Sequence, residues 1–274
     1  MPTTPVGKVF AGLELLMVLG GLVLLWRHFL GARSTRDTRP AAAPPALPRW
    51  RTGGLDIATL VWLVLCGGIL FQVTGMGLLR AIGLEGTRLL VIVSACFQLG
   101  MLVGCLCYMR FTTTGRDYDR PRKGFLLAGT ATFLMSLPPV FSLGIGWQAL
   151  MNLFGIPIDQ QEMIALFKNT DNLPLLGLMI ALAALLAPLT EELIFRAGLF
   201  RMLHGQVSRW SAILLSAALF GVIHGSLASF PQLALLGIIW ALAYERTGNI
   251  AVPMLAHALY NLNTVILLLA GIES

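Results

Sequence analysis

Residues 173–200 read LPLLGLMIALAALLAPLTEELIFRAGLF. The stretch begins as an apolar run without charge and ends on two adjacent carboxylates, Glu191 and Glu192, with Arg196 one helical turn later. A helix that crosses a membrane needs about 20 predominantly apolar residues. The stretch therefore predicts a transmembrane helix that carries ionisable groups near one end.

The composition of the whole chain agrees with a membrane protein. Of its 274 residues, 57% are hydrophobic and only 12% are charged, and the mean hydropathy is +0.80. A soluble domain of this length forms a core with much less apolar content. The net charge of +6 comes from arginines clustered between apolar runs, which is typical of loops facing anionic lipid and does not indicate a nucleic-acid partner.

Apolar runs along the chain predict an all-α polytopic membrane protein with about eight transmembrane helices. The seventh run is short enough to be a partial or strongly tilted span. We also expect a polar active-site cavity among the C-terminal helices. The predicted spans are 9–29, 56–79, 89–109, 125–150, 174–200, 210–228, 231–244 and 250–270.

Three regions follow from this pattern. Residues 1–54 contain an N-terminal transmembrane helix and a basic, Pro-rich linker, and residues 55–173 contain accessory helices and an amphipathic segment. Residues 174–274 hold most of the intramembrane polar groups. The excess of arginine predicts that the linker 31–54 and the loop 110–124 are cytoplasmic and that the amphipathic segment is extracytoplasmic.

Ionisable residues within membrane spans are costly and are functional candidates by default. Glu192 and Arg196 lie four residues apart and can pair on one helix face, while Glu191 points elsewhere. A carboxylate and a histidine together can hold and deprotonate a water molecule, and a second histidine with an amide can donate to an oxyanion. The candidate residues beyond the helix of residues 174–200 are His224, His257 and Asn261.

Other interpretations of these residues remain open. Glu192 and Arg196 could be a structural ion pair, and a single intramembrane histidine often only bridges helices. Two histidines and a carboxylate also match a catalytic zinc set in type, with Glu191, His224 and His257 as ligands, although the chain has no H-E-x-x-H sequence. We favour no cofactor and keep a divalent metal such as zinc as the alternative.

Three short motifs in order resemble those of a known family. EELIFR (191–196) is similar to an E-E-x-x-x-R motif, FGVIH (220–224) to F-x-x-x-H, and HALYN (257–261) to H-x-x-x-N. These are the motifs of the CAAX protease and bacteriocin-processing (CPBP, or Abi) intramembrane proteases, which include relatives of the type II CAAX prenyl endopeptidases. The resemblance makes residues 174–274 a CPBP-like catalytic core.

The resemblance implies a role for each matching residue. Glu191 would be the general base, and His224 would help to position the water; His257 and Asn261 would supply the oxyanion hole. Glu192 and Arg196 would orient the catalytic side chains without themselves contacting the substrate.

The implied function is an intramembrane endopeptidase. It would cleave a membrane-associated peptide or protein, and the composition of the linker favours the bacterial cytoplasmic membrane. The alternative is a scaffold or bacteriocin-immunity protein that uses the same fold without catalysis.

Overall fold

The computed structural model describes residues 4–29, 47, 50, 52–111, 124–157, 166–167, 170 and 172–272. These residues form helices and turns, with no strand among them, so the protein is an all-α polytopic membrane protein. Most of the linker 31–54 and of the loop 110–124 lies outside the described residues, as does most of the amphipathic segment predicted near residue 160.

Each of the eight predicted spans contains a helix, although the helix in the span 210–228 ends at Val222. We label the helices α1 to α8 in chain order; α5 is a composite helix that runs from Leu173 to Gln206. The other bounds are Pro5–Phe29 (α1), Gly54–Ala81 (α2), Gly86–Phe111 (α3), Phe125–Leu153 (α4), Arg209–Val222 (α6), Phe230–Thr247 (α7) and Ala251–Leu269 (α8).

The predicted count of about eight transmembrane helices was too high. Six helices in the described part of the chain, α1 to α5 and α8, are long and apolar enough to cross a membrane. Helix α6 has 14 residues, which at 1.5 Å per residue span about 21 Å and fall short of the roughly 30 Å hydrocarbon core. Helix α7 ends on Glu245, Arg246 and Thr247 and is not among the six. Helices α6 and α7 form a hairpin, which we call α6–α7, and residues 223–229 join them.

Helices α2 and α3 form a closely packed antiparallel pair. Gly100 and Gly104 let the backbones approach, because a Cβ atom at either position would collide with the backbone of Gly67 or Leu63. Small residues at such contacts are typical of helix association in membranes. One core cluster joins this pair to α5, through Leu60, Val64 and Cys105 on one side and Ala197 on the other.

Helix α5 is not a regular α-helix. It contains two π-helical segments, Leu182–Leu186 and Leu193–Phe200, which flank the short α-helical segment Ala187–Glu192. Short π segments inside α-helices are uncommon and occur frequently at functional sites. The two adjacent carboxylates thus lie in a single regular turn between two widened ones.

A second core cluster packs α4, α5, α6, α7 and α8 together. Its aromatic members on α5, α6 and α7 are Phe195, Phe220 and Trp240, and the last two are at most 1% exposed. Phe195 and Phe220 meet edge to face, with ring centroids 5.4 Å apart. This cluster forms the apolar floor against which the polar side chains of α5 and α8 are held.

Candidate active site

Glu192 is the central carboxylate of the buried polar cluster. Its Oε1 atom lies 3.1 Å from the Nη1 atom of Arg196 and accepts a hydrogen bond from His257 Nδ1 at 2.9 Å. The ion pair predicted from the four-residue spacing is therefore present. Both Glu192 and Arg196 are fully buried, and His257 is 3% exposed, so this contact joins α5 to α8 in the interior.

Aromatic faces complete the surroundings of Arg196. The guanidinium carbon lies 4.4 Å from the ring centroid of Phe220 and 5.3 Å from that of Trp240. Both distances lie within the range of cation–π attraction. The Nε, Nη1 and Nη2 atoms of Arg196 have no well-formed hydrogen bond to any described residue, although Nη1 is close enough to Glu192 for an ion pair. Charge and ring faces hold this arginine more than hydrogen bonds do.

Glu191 faces the two histidines. Its Oε2 atom lies 3.9 Å from His224 Nε2 and 3.8 Å from His257 Nε2. These separations are too long for direct hydrogen bonds, and they suit groups that share a third atom between them. The Glu191 side chain is 15% exposed and that of His224 is 26% exposed, although the Glu191 Oε2 atom itself is buried and has no hydrogen-bond partner among the described residues. This side of the cluster is therefore the more accessible one.

His224 lies outside the helix in which its sequence placed it. The predicted span 210–228 ends as a helix at Val222, and His224 begins the turn that leads to α7. Its Nδ1 atom is 2.7 Å from the carbonyl oxygen of Phe220, and a carbonyl can only accept. Nδ1 therefore carries the proton, and in the neutral ring Nε2 is left as the acceptor that faces Glu191. The indole of Trp147 fixes the same turn by donating to the carbonyl of Leu227 at 3.0 Å.

Asn261 is held against α5 and is not in direct contact with the carboxylates. Its Nδ2 atom donates to the carbonyl oxygen of Ala183 at 2.9 Å, and Ala183 belongs to the first π-helical segment. The second π-helical segment is tied in the same way, since Ser216 Oγ donates to the carbonyl oxygen of Phe195 at 3.2 Å. A polar side chain from a neighbouring helix thus satisfies one carbonyl in each widened turn.

The structure therefore brings together five of the six candidate residues. Glu191, Glu192, Arg196, His224 and His257 form one cluster, and Asn261 lies one helical turn beyond His257 on α8.

Sequence reasoning missed Trp240. Its ring stacks on the imidazole of His257, with centroids 4.2 Å apart and planes inclined by 23°. The available signal was a tryptophan in the middle of an apolar helix, which by itself does not distinguish a core residue from a site residue.

Family comparison agrees with the three motifs. Residues 173–263 match the model described as type II CAAX prenyl endopeptidase Rce1-like. This match covers the composite helix, the α6–α7 hairpin and most of α8. Residues 173–263 are therefore similar to this family, and they make up about a third of the chain. The resemblance stated from the sequence is thereby confirmed, and Glu191, His224 and His257 all lie within the matched CPBP-like region.

A bacterial relative extends the similarity. The chain is 30% identical over 149 residues to a Bacillus subtilis (strain 168) protein named "Putative membrane peptidase YdiL". The aligned part is 54% of this chain and 59% of the relative, so the chain matches well under two thirds of that protein. No solved structure matches the chain. Both comparisons are with membrane proteases.

The separations between Glu191 and the imidazoles of His224 and His257 differ from those expected in a zinc site. Two ligands of one tetrahedral zinc ion, each about 2.0–2.2 Å from the metal, are roughly 3.4 Å apart. The two distances from Glu191 to the imidazoles are longer, and within the described residues no group of three His, Cys, Asp or Glu side chains is arranged to hold a metal ion. The three side chains do not form a zinc site in this arrangement. The preference for no cofactor, with a divalent metal such as zinc as the alternative, stays a prediction from the sequence.

Proposed function

We propose that the protein is an intramembrane endopeptidase that hydrolyses a peptide bond in a membrane-associated peptide or protein. The observation that carries this proposal is the position of Glu191, whose carboxylate faces two imidazole nitrogens at 3.8 and 3.9 Å on the accessible side of the cluster. The similarity of residues 173–263 to a family of membrane proteases supports it.

In the proposed reaction Glu191 is the general base. It takes a proton from a water molecule while the water oxygen attacks the peptide carbonyl carbon. His224 orients this water, because its Nε2 atom is the acceptor left when Nδ1 donates to Phe220. A carbon–oxygen bond forms and the carbonyl electrons move to the oxygen. When the intermediate collapses, the carbon–nitrogen bond breaks, and the proton held by Glu191 passes to the leaving amine.

His257 is proposed to stabilise the oxyanion. Its Nδ1 atom is committed to Glu192, so donation from Nε2 requires the imidazolium form, whose positive charge lies beside that carboxylate. Asn261 is the second proposed donor. One N–H of its amide is engaged by Ala183, which leaves the other for the oxyanion. Donors placed in advance in a dry site lower the barrier more than the same groups in water.

Glu192 and Arg196 are proposed to hold the site in position. Glu192 fixes the orientation of the His257 ring, and Arg196 balances the charge of the two adjacent carboxylates. Neither residue needs to touch the substrate in this scheme. Their complete burial supports a supporting role, because a fully buried group cannot meet a substrate without rearrangement.

The experiment that tests this proposal compares Glu191→Gln and His224→Ala with Glu245→Gln as the matched control. Membranes of cells producing each variant are analysed for peptides that accumulate or disappear, and the cleavage found is then reconstituted with purified protein in vesicles. We expect Glu191→Gln to slow cleavage by about 10²- to 10⁴-fold, the usual contribution of a general base. The control should cleave at the wild-type rate.

The opposite result has a clear meaning. If Glu191→Gln and His224→Ala both cleave as fast as the wild type, the glutamate mechanism is wrong. If no cleavage depends on the chain but alanine variants of Glu191, His224, His257 and Asn261 keep a cellular phenotype, the non-catalytic scaffold or immunity role replaces the enzyme.

The metal requirement needs a separate experiment. We expect purified protein that contains less than stoichiometric zinc by elemental analysis to cleave at an undiminished rate after exhaustive chelation. Loss of activity on chelation, with recovery on added zinc and not on magnesium, would assign the role of the base to a metal-bound water instead.

A further inference from the structure

Trp240 lies against both side chains that contact Glu192, namely Arg196 and His257. Its ring is stacked on the imidazole of His257 and is also 5.3 Å from the guanidinium carbon of Arg196. Phe220 touches the same two side chains from another direction, 4.4 Å from Arg196 and 5.9 Å from the ring centroid of His257. The two aromatic residues thus enclose the Glu192–Arg196–His257 group.

The indole N–H of Trp240 indicates that the ring face, and not a hydrogen bond, is the reason for a tryptophan here. The Nε1 atom is buried and has no hydrogen-bond partner among the described residues. Buried tryptophan N–H groups usually have a partner, because leaving a polar group unpaired in the interior costs free energy. A leucine would fill an ordinary core position without this cost, but it has no ring face.

Stacking on Trp240 restricts rotation of the His257 ring, which the single hydrogen bond to Glu192 does not fix. The His257 ring is attached to Glu192 through Nδ1 alone, and rotation about that contact would move Nε2 away from Glu191. The stacked indole, 4.2 Å away, blocks this rotation. Aromatic ring faces also attract positive charge, such as that on the imidazolium or on Arg196.

We infer that Trp240 is a positioning residue of the active site, which sets the direction of His257 Nε2 and holds Arg196 beside Glu192. The kinetic consequence of this inference rests on the proposed function, whereas the contacts of Trp240 with His257 and Arg196 do not depend on it. Trp240 lies on α7 and is absent from all three motifs, so it belongs to the site through contact and not through the family pattern.

The kinetic experiment uses three variants of the full chain: Trp240→Leu, Trp240→Phe and the control Phe133→Leu. Phe133 belongs to the same core cluster and is 5% exposed, and no ring contact joins it to Arg196 or His257. We expect Trp240→Leu to lower kcat by about 10- to 100-fold with KM within about twofold, because a small misplacement of a catalytic group slows the chemical step. Trp240→Phe should recover most of this loss, since a ring face is restored.

A double-mutant cycle separates positioning from packing. If Trp240 acts through Arg196, the losses in kcat from Trp240→Leu and Arg196→Met will be far from additive, whereas those from Phe133→Leu and Arg196→Met will add. Rates are referred to the folded fraction of each variant. A kcat for Trp240→Leu equal to that of Phe133→Leu would refute the inference, and so would additivity with Arg196→Met.

A spectroscopic measurement tests the geometry without activity. The chain has four histidines, so the imidazole signals of histidine-labelled protein can be assigned by single substitutions. The ring proton signal of His257 should be displaced by the stacked indole in the wild type and should shift on Trp240→Leu but not on Phe133→Leu. No shift on Trp240→Leu would overturn the inference. Cleavage by Glu191→Gln at the wild-type rate, with this shift present, would overturn the proposed glutamate mechanism and leave this inference standing.

Discussion

Among the described residues, two carboxylates are each in contact with an arginine and a histidine. Glu245 accepts two hydrogen bonds from Arg209 and lies 3.7 Å from His204, and Arg209 is 44% exposed. Glu192 is in contact with Arg196 and His257, and all three are buried. The same residue types therefore form one cluster near solvent and one in the interior.

The difference between the two clusters lies in how completely the hydrogen bonds are made. Both oxygens of Glu245 are used by Arg209 in a two-pronged contact, and this hydrogen bond raises the pKa of Arg209. In the interior cluster Glu192 Oε2 and the guanidinium nitrogens of Arg196 have no hydrogen-bond partner among the described residues. The outer cluster is a closed structural contact, whereas the inner one leaves buried polar groups without hydrogen-bond partners beside the proposed base.

The largest expected effect is that of Glu192→Leu. Removing this carboxylate leaves Arg196 and His257 without their shared partner in the interior, and breaking a buried pair typically costs about 3–5 kcal/mol. We expect a destabilisation of this size in equilibrium unfolding in detergent micelles. An effect below about 1 kcal/mol would show that the buried pair is no more valuable than an exposed one.

The second effect is a partial recovery by the double variant Glu192→Leu/Arg196→Met. Replacing both members of a buried ion pair with apolar residues is often neutral for stability, so the double variant should be more stable than Glu192→Leu by at least about 1 kcal/mol. Its cleavage rate should stay low, because His257 has lost the group that orients it. A double variant as unstable as the single one would mean that the packing of Glu192, and not its charge, holds the helices together.

The third effect applies the same substitution to the outer cluster. Glu245→Leu should cost no more than about 1 kcal/mol, the usual range for a solvent-exposed pair, and should leave cleavage unchanged. The measurement is again equilibrium unfolding, with the cleavage assay beside it. A loss comparable to that of Glu192→Leu would remove the distinction between the clusters.

The smallest effect concerns salt. Raising the ionic strength from 0.01 to 1 M shortens the screening length from about 30 to 3 Å. The stability difference between wild type and Glu245→Leu should therefore shrink, while that between wild type and Glu192→Leu should stay nearly constant. Equal salt dependence in both comparisons would indicate that water and ions reach Glu192.

The helices and most of the site residues could be predicted from the sequence, because apolar runs and polar groups within them are local signals. The Glu192–Arg196 pair followed from helical spacing alone. The number of spanning helices could not be read in the same way, since the run 210–228 is mostly apolar on both sides of His224 and its average hydropathy does not mark the end of α6 at Val222.

Features that depend on contacts between helices were out of reach. Trp240 is an apolar residue in an apolar helix, and only the packing of α7 against α8 reveals its stack on His257. The tie of Asn261 to Ala183 depends on the widened turn at residues 182–186, and the sequence of that turn, LAALL, has the composition of an ordinary helix. Long-range geometry of this kind is absent from local patterns.

The two widened turns of α5 have a consequence for how the chain can change over evolution. A π turn is equivalent to one residue added to an α-helix, and the helix closes up again beyond it. Deleting a single residue from 193–200 would restore a regular helix and leave the residues beyond it on nearly the same faces relative to Glu191 and Glu192, because the extra residue is accommodated within the widened turn. An alignment of distant relatives should therefore show one-residue gaps within residues 193–200, although gaps inside helices are ordinarily rare.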